Sequence, residues 1–243
     1  KRVKKIRMSN FMFEGFGRCP NFSKAVENGE VEVEDYSHYG MTARLSAAAL
    51  GLPSMPVRTM MGSDIEKISG FEQPKFHHVT CPFTGEKTLL LPALHPDFTI
   101  IHASCADQNG NVQLYGHGSI IEEQARAGKC VIVTVEKIVP EQLVRRNPER
   151  TILPSFLVDM VVEVPFGAHP AGMYQAYDYD EAHIREYLSA SKDPEQLNQY
   201  LDRYVYGVSN HMEYLDLIGI SKLMELRADP EFGYSLKSRG ELE

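Results

Sequence analysis

The sequence predicts an α/β fold in which an open, mostly parallel, twisted sheet carries helices on both faces. Two observations support this prediction. Apolar segments of strand length, rich in Val and Ile, alternate along the chain with segments that have the apolar spacing of helices. The connections between them are short and carry Gly, Pro, Asn and Asp, as strand–helix–strand units require.

Strands are predicted from short apolar or alternating runs that are bounded by turn residues. Residues 56–96 are rich in Pro and Gly, so they are predicted to leave the main sheet and to hold only two short strands. Residues 107–111 are predicted as a turn, because their Asn-Gly pair suits a positive φ. The predicted strands cover residues 4–10, 31–34, 76–80, 88–91, 98–103, 112–114, 131–135 and 156–164.

Helices are predicted where a capping residue precedes a segment and a glycine or proline follows it. Asp193 with Pro194 opens one such helix, and Asn210 with Glu213 forms a pattern like a capping box. The later helices make residues 180–243 a helical C-terminal extension of a single domain, 1–243. The predicted helices cover residues 22–27 (capped by Asn21), 41–50, 120–127, 181–189 (capped by Asp180), 194–206 and a last one between Asn210 and Gly219.

Charge and hydropathy exclude several classes of partner. Lys and Arg number 25 against 33 Asp and Glu, a formal net charge of -8. Since no basic stripe is interleaved with aromatic residues, we expect no nucleic-acid partner. No apolar stretch approaches the ~18 residues of a membrane span, so we expect no membrane partner. The cysteines form no CxxC pair, which argues against a zinc or thiol-redox site and favours a reducing cytoplasm.

A compact loop over residues 165–170 follows the predicted buried strand 156–164. Two prolines fix φ on either side of Gly167, which could approach a ligand or adopt a positive φ. Because ligands in α/β sheets bind at strand ends, a ligand-binding loop is predicted; the alternative is an ordinary turn with a satisfied histidine, His169. His77, His78 and Cys81 have metal-ligating side chains, but no further ligand pair completes a site.

Several sequence blocks follow one another in an order that is more specific than any one motif. They are Gly15-Phe16-Gly17, Tyr36-Ser37-His38 with residues 47–53, residues 96–103, residues 107–112, residues 132–139, residues 158–170 and residues 177–180. In these blocks the chain resembles the α subunit of family I CoA-transferases, especially the glutaconate CoA-transferase type. The likeness covers nearly the whole chain.

The resemblance implies the CoA-transferase fold and assembly with a β subunit of that fold, as a heterodimer or heterotetramer. In that family a β-subunit glutamate attacks an acyl-CoA, and a glutamyl-CoA thioester then passes CoA to a second carboxylate. We therefore expect no catalytic residue in this chain, no metal and no cofactor, with CoA as the acyl-carrier substrate. The expected substrate-binding residues are Ser9, Glu14, His38, Gly167 and His169.

Two differences from the family qualify the resemblance. The family α subunit begins with an additional strand, helix and strand that bear a Gly-Gly-Phe loop; this chain starts at Lys1, so we expect an N-terminal segment to be missing. Glu14 and His38 stand where the glutaconate enzyme has a small hydroxyl and an amide, so a dicarboxylate substrate is not implied. A carboxylate and an imidazole could instead serve hydrolysis of a CoA ester or ring. A third alternative is a non-catalytic partner of the β subunit.

Overall fold

The structure is a computed structural model that describes residues 3–68, 70–71, 74–238 and 240. Helices and strands alternate along most of the chain, which confirms the predicted α/β class. Two compact units are present: the first comprises Lys1–Thr99 and Ile120–Cys130, and the second comprises Ile100–Ser119 and Val131–Glu243.

The first unit begins with two parallel strands, β1 (Lys5–Met8) and β2 (Glu32–Asp35), which pair directly with each other. Helix α1 (Pro20–Glu27) connects them, and helix α2 (His38–Ala49) follows β2. Asn21 is not the cap of α1, because the helix begins one residue earlier at Pro20, whose fixed φ suits a first helical position.

Helix α2 is the buried helix of the first unit. The side chain of Ser37 caps it, since its Oγ accepts a hydrogen bond from the Gly40 N–H at 3.0 Å. Small residues let α2 approach its neighbours closely. Leu45 and Ala48 pack with Ala127 of helix α3 (Ile121–Ala127).

A three-stranded antiparallel sheet also belongs to the first unit, in the order β3, β5, β4. Strand β3 (Ser54–Val57) was not predicted, because Pro56 weakens the strand pattern; it occupies an edge, where proline is tolerated. Both ends of strands β4 (His77–Thr80) and β5 (Lys87–Pro92) lie within one residue of their predicted positions. The sheet shares a core with α2 that contains Tyr36, Ala43, Val57, Met60, Leu89 and Leu91.

The second unit holds most of a five-stranded mixed sheet in the order β10, β8, β6, β7, β9. β10 runs parallel to β8, whereas β7 is antiparallel to both β6 and β9. Helix α4 (Glu141–Arg146), which was not predicted, follows β8. The strands are β6 (Phe98–Asp107), β7 (Val112–Gln113), β8 (Cys130–Val139), β9 (Thr151–Leu153) and β10 (Met160–Glu163).

The segment 156–164 is not the buried strand that the sequence predicts. Its first residues belong to a 3-10 turn, Ser155–Leu157, and only β10 is extended. Within the described chain β10 is an edge strand, and Met160 and Val162 are 55% and 46% exposed. An apolar run therefore does not by itself establish burial, because burial depends on the position of the strand in its sheet.

Within the described residues, the last four α-helices belong to the second unit, and the three caps predicted for them are confirmed. Asp180 accepts from the His183 N–H at 3.1 Å, Asp193 from the Gln196 N–H at 3.0 Å, and Asn210 from the Glu213 N–H at 3.1 Å. The predicted helix 194–206 continues from α6 into a π-helical turn, Asp202–Tyr206, and α8 was not predicted. The helices are α5 (Glu181–Ala190), α6 (Pro194–Leu201), α7 (His211–Ile218) and α8 (Ile220–Leu226).

Candidate substrate site

Ser9 and His38 meet at the carboxyl ends of two parallel strands. Ser9 directly follows β1, and His38 is the first residue of α2, three residues after β2 ends. Because parallel strands end at the same edge, the two side chains are brought together, with Ser9 Oγ 3.1 Å from His38 Nδ1. This edge is where α/β sheets bind their ligands.

Glu14 is presented by a tight loop that follows the same strand. The loop is closed by the Phe13 N–H, which donates to the Gly17 carbonyl oxygen at 2.8 Å. Glu14 has a φ of 45°, a left-handed conformation that is uncommon for a residue with a side chain and tends to occur at functional sites. Its Oε1 accepts from Asn10 Nδ2 at 3.4 Å, and Asn10 is the neighbour of Ser9. The structure therefore places Glu14 in the same surface region as Ser9.

The region around these three residues is open to solvent in this chain. Glu14 and His38 are exposed, and Ser9 is half-buried. Phe11, Met12 and Tyr39, their neighbours in the sequence, are exposed apolar side chains. Polar groups flanked by exposed apolar side chains are typical of a site that a second protein surface completes.

The predicted residues Gly167 and His169 belong to the second unit, and His169 is held inside it. Its Nδ1 is 2.5 Å from the Tyr214 hydroxyl and its Nε2 is 3.3 Å from Asp180 Oδ2. The side chain has 0% exposure, and burial lowers the pKa of His169. Since both ring nitrogens have partners, the geometry matches the satisfied-histidine alternative, and a substrate contact by His169 stays a prediction.

Gly167 is a glycine because of packing. A Cβ atom there would lie 2.7 Å from His102 Cε1 and 2.7 Å from the Val164 carbonyl oxygen, which is closer than van der Waals contact allows. The positive φ of this loop falls on Phe166, at 54°, and not on Gly167. The glycine lets the loop lie directly on the imidazole of His102.

Glu136 is a half-buried carboxylate, with its side chain 14% exposed, that no sequence motif singles out. Its Oε1 is 2.7 Å from His102 Nε2 and accepts from the Tyr177 hydroxyl at 2.7 Å. Its Oε2 accepts from the Phe166 N–H, also at 2.7 Å. Burial raises the pKa of Glu136, but the hydrogen bonds from His102 and Tyr177 lower it by more, so the net shift is downward.

The network around Glu136 holds the loop 165–170 through two of its backbone N–H groups. Both carboxylate oxygens have donors, and the Tyr177 hydroxyl also accepts from the Ala168 N–H at 2.9 Å. Glu136 and Tyr177 line a cavity of about 560 Å³ together with Cys105 and Tyr115. The sequence did contain a signal for this residue, because a charged side chain at position 136 directly follows the apolar run 131–135 of a predicted strand.

The described part of the chain has neither a metal-binding cluster of side chains nor a helix that could span a membrane. Across residues 3–68, 70–71, 74–238 and 240, no group of three or more His, Cys, Asp or Glu side chains is arranged to hold a metal ion. His78, one of the metal-ligating types in the sequence, instead pairs with Glu66, with Nε2 3.1 Å from Oε1. Among the same residues, no helix has the length and apolar character that crossing a membrane requires.

Parallel strand ends followed by a hydroxyl, an imidazole and a carboxylate define an α/β protein with a candidate ligand site at the edge of a sheet. Comparison with known sequences identifies the family within this class. The chain belongs to the coenzyme A transferase family, whose sequence model matches residues 1–164.

Individual relatives refine this assignment. The A subunit of glutaconate CoA-transferase from Acidaminococcus fermentans is 35% identical over 227 residues, covering 88% of this chain and 71% of that protein. An uncharacterized protein of Archaeoglobus fulgidus is 41% identical over 227 residues, covering 92% of this chain and 49% of that protein, so the chain spans about half of its length. The cholesterol ring-cleaving hydrolase IpdA subunit of Rhodococcus jostii is 32% identical over 196 residues, covering 77% of this chain and 65% of that protein.

A solved structure gives the same result for the fold. The crystal structure of glutaconate coenzyme A-transferase from Acidaminococcus fermentans matches with a TM-score of 0.91 and 32% identity, covering 98% of this chain and 80% of that chain. The predicted resemblance to the glutaconate CoA-transferase type is thereby confirmed.

Proposed function

We propose that this chain is the α subunit of a heteromeric acyl-CoA:carboxylate CoA-transferase and that it acts together with a β subunit. The β subunit supplies a glutamate that attacks the acyl-CoA and forms a mixed anhydride with release of the CoA thiolate. The thiolate then attacks the glutamyl carbonyl and releases the first acid, which leaves a glutamyl-CoA thioester. The second acid accepts CoA by the reverse of these steps, so two covalent exchanges replace one difficult transfer.

The observation that carries this proposal is the contact between Ser9 and His38 at an open sheet edge. Two further observations support completion of the site by a partner: a relative is itself named as one subunit of an enzyme, and exposed apolar side chains lie beside the site. Apolar surface of this kind is costly in water and is typical of protein–protein interfaces. A cytoplasmic location fits the four cysteines, which are all free.

In this proposal Ser9 and His38 orient the reacting carboxylate. When the Ser9 hydroxyl donates to Nδ1, the proton of the neutral imidazole resides on Nε2, which then becomes the donor toward the substrate. A donor held in one orientation positions an acid for attack, and such positioning lowers the entropic part of the barrier. Glu14, on its strained loop, lies where it can select substrates by charge.

The test is reconstitution with a β subunit. This chain by itself, its β partner by itself and the mixture of the two are each assayed for CoA exchange between an acyl-CoA and a free acid. Turnover is expected in the mixture, and a β-subunit variant that lacks the nucleophilic glutamate is the control that should be inactive. Full exchange activity of this chain alone, or unchanged activity of the β subunit without it, contradicts the proposal.

A second candidate function is hydrolysis of a CoA-linked ester or ring. It is favoured by the exposed carboxylate of Glu14 in the same surface region as the imidazole of His38, since a carboxylate can act as a general base toward water. A relative named as a ring-cleaving hydrolase subunit supports the same candidate. Release of CoA from a single acyl-CoA without any acceptor acid, with ¹⁸O from labelled water in the product, would establish it over transfer.

A further inference from the structure

A small cavity in the first unit carries an unusual concentration of positive charge. It has a volume of about 180 Å³, enough for about six water molecules at about 30 Å³ each. Its charged lining comes from β1, β2, α2 and the segment before β4, and none of the predicted substrate-binding residues is among its described lining residues. The charged lining residues are Arg7, Glu34, Arg44 and Lys75.

Arg44 is the least satisfied of these residues. It is only 5% exposed, and its Nε donates to the Pro92 carbonyl oxygen at 3.0 Å. Its Nη1 is buried and has no hydrogen-bond partner within the described chain. The carboxylate of Glu34 is 3.8 Å from Nη1, which is too long for a hydrogen bond. A buried guanidinium nitrogen without an acceptor is costly and points to a missing group.

The nearby carboxylate of Glu34 acts on Arg44 through its charge only, because the hydrogen bonds it accepts come from other donors. Glu34 Oε1 accepts from the Tyr36 hydroxyl at 2.5 Å, and its Oε2 accepts from Arg7 Nε at 3.0 Å and from the Phe71 N–H at 3.3 Å. Hydrogen bonds from Tyr36 and Arg7 outweigh burial and lower the pKa of Glu34. The carboxylate is therefore ionised, yet it is committed to groups other than Arg44.

A second buried cation increases the excess of positive charge. Lys75 is 5% exposed, and its Nζ lies 4.7 Å from the centre of the Tyr36 ring, which also has Arg44 Cζ 4.8 Å from its centre. Arg7, Arg44 and Lys75 contribute three positive charges against the two carboxylates that act on them, Glu34 and Asp35. One positive charge thus remains unbalanced among these residues.

We propose that this cavity binds the carboxylate of a short organic acid through the guanidinium of Arg44. A guanidinium offers two parallel N–H donors that match the two oxygens of a carboxylate. A monovalent carboxylate balances the one excess charge, whereas a divalent phosphate would leave a net negative charge in a buried site. The cavity volume limits the ligand to an acid of a few carbon atoms.

The test uses trifluoroacetate, a carboxylate that stays ionised at neutral pH, with ¹⁹F NMR on the full chain at constant ionic strength. Saturable line broadening is expected, and acetate should displace the probe more effectively than phosphate does. Displacement by phosphate at lower concentration than acetate would overturn the assignment to carboxylates, and so would the absence of broadening.

Variants locate the binding. Arg44→Met should weaken the affinity at least about tenfold, and Arg44→Lys should also weaken it, because an ammonium lacks the paired donors. Arg126→Met is the matched control, since Arg126 is a surface residue paired with Glu122 within α3. Wild-type affinity in either Arg44 variant contradicts the proposal. Unfolding curves establish that each variant is folded.

One variant addresses the chain's own carboxylates. Glu72 lies outside the described residues and is adjacent in sequence to Phe71, which lines the cavity. Glu72→Gln should bind trifluoroacetate as the wild type does. Binding that is seen only in Glu72→Gln would show that the chain supplies its own acid, and it would overturn the proposal. Because binding is measured without turnover, the result is independent of the transferase activity.

Discussion

Ser9 and His38 are 29 positions apart in the sequence, yet Ser9 Oγ lies 3.1 Å from His38 Nδ1. The parallel pairing of β1 with β2 produces this contact, because it brings both strand ends to one edge of the sheet. The hydrogen bond selects one orientation of the imidazole, so the ring is positioned before any substrate arrives. This preorganisation is the physical basis for proposing that the pair binds substrate.

Replacing Ser9 with alanine tests that role. In the complex with a β subunit, Ser9→Ala should lower kcat/KM about tenfold, which corresponds to about 1.4 kcal/mol, the scale of one hydrogen bond. The unfolding midpoint should change little, because Ser9 is half-buried and close to the surface. Ser189→Ala, at an exposed position of α5, is the control and should retain wild-type kinetics. Equal kcat/KM for both variants would remove Ser9 from the site.

Replacing Glu136 with glutamine tests the network that holds the loop 165–170. Glu136→Gln should destabilise the protein by about 1.5–3 kcal/mol, because hydrogen bonds to a charged acceptor are lost. Since folding lowers the pKa of Glu136, its contribution is fully present above the ordinary glutamate pKa of about 4.3 and is lost as the pH falls further. The difference between wild type and variant in denaturant unfolding should therefore shrink below about pH 4.

The matched control for this measurement is Glu149→Gln. Glu149 is a surface residue with Arg150 3.9 Å away, and surface pairs contribute little. Its variant should unfold like the wild type at every pH. A stability difference for Glu136→Gln that is constant from about pH 3 to about pH 7 would show that the carboxylate charge has no part in the network.

The sequence predicts best those features whose causes are local. Asp180, Asp193 and Asn210 each cap a helix through an N–H within three residues, so their roles can be read from neighbouring positions. Strand β3 is harder to predict, because Pro56 is tolerated only at a sheet edge and the edge is set by distant pairing.

The candidate site was predictable only in part for the same reason. Ser9, Glu14 and His38 were identified from the resemblance, and strand pairing brings two of them into contact. The contact between His102 and Glu136 joins residues 34 positions apart, and it depends on the register of a sheet that the sequence does not specify. Gly167 packs against His102 in the structure, a contact that the sequence does not reveal, and its predicted ligand contact stays a prediction.

A methyl group at position 167 tests that packing. Gly167→Ala should cost about 1–3 kcal/mol, because the new Cβ overlaps the His102 ring and the Val164 carbonyl oxygen. Gly15→Ala is the control, since a Cβ at Gly15 has no atom within 4 Å and should change the free energy of unfolding by less than about 0.5 kcal/mol. Denaturant unfolding of both variants gives the comparison. Equal free energies of unfolding for the two variants would mean that the loop 165–170 can shift away from His102 without cost.

The buried histidines predict how stability depends on pH. Burial lowers the pKa of both His169 and His183, so the folded protein holds these rings neutral, whereas the unfolded chain protonates them at about pH 6.5. The contribution of the neutral rings to the free energy of unfolding is thus fully present above about pH 6.5. It decreases as the pH falls toward the lowered folded-state pKa values. Thermal unfolding of His169→Gln should show a smaller decrease between about pH 6.5 and about pH 5 than the wild type. His95→Gln, which changes an exposed histidine, is the matched control for replacing an imidazole with an amide. If the stability of His169→Gln decreases with falling pH as much as that of the wild type, groups other than His169 cause the acid sensitivity.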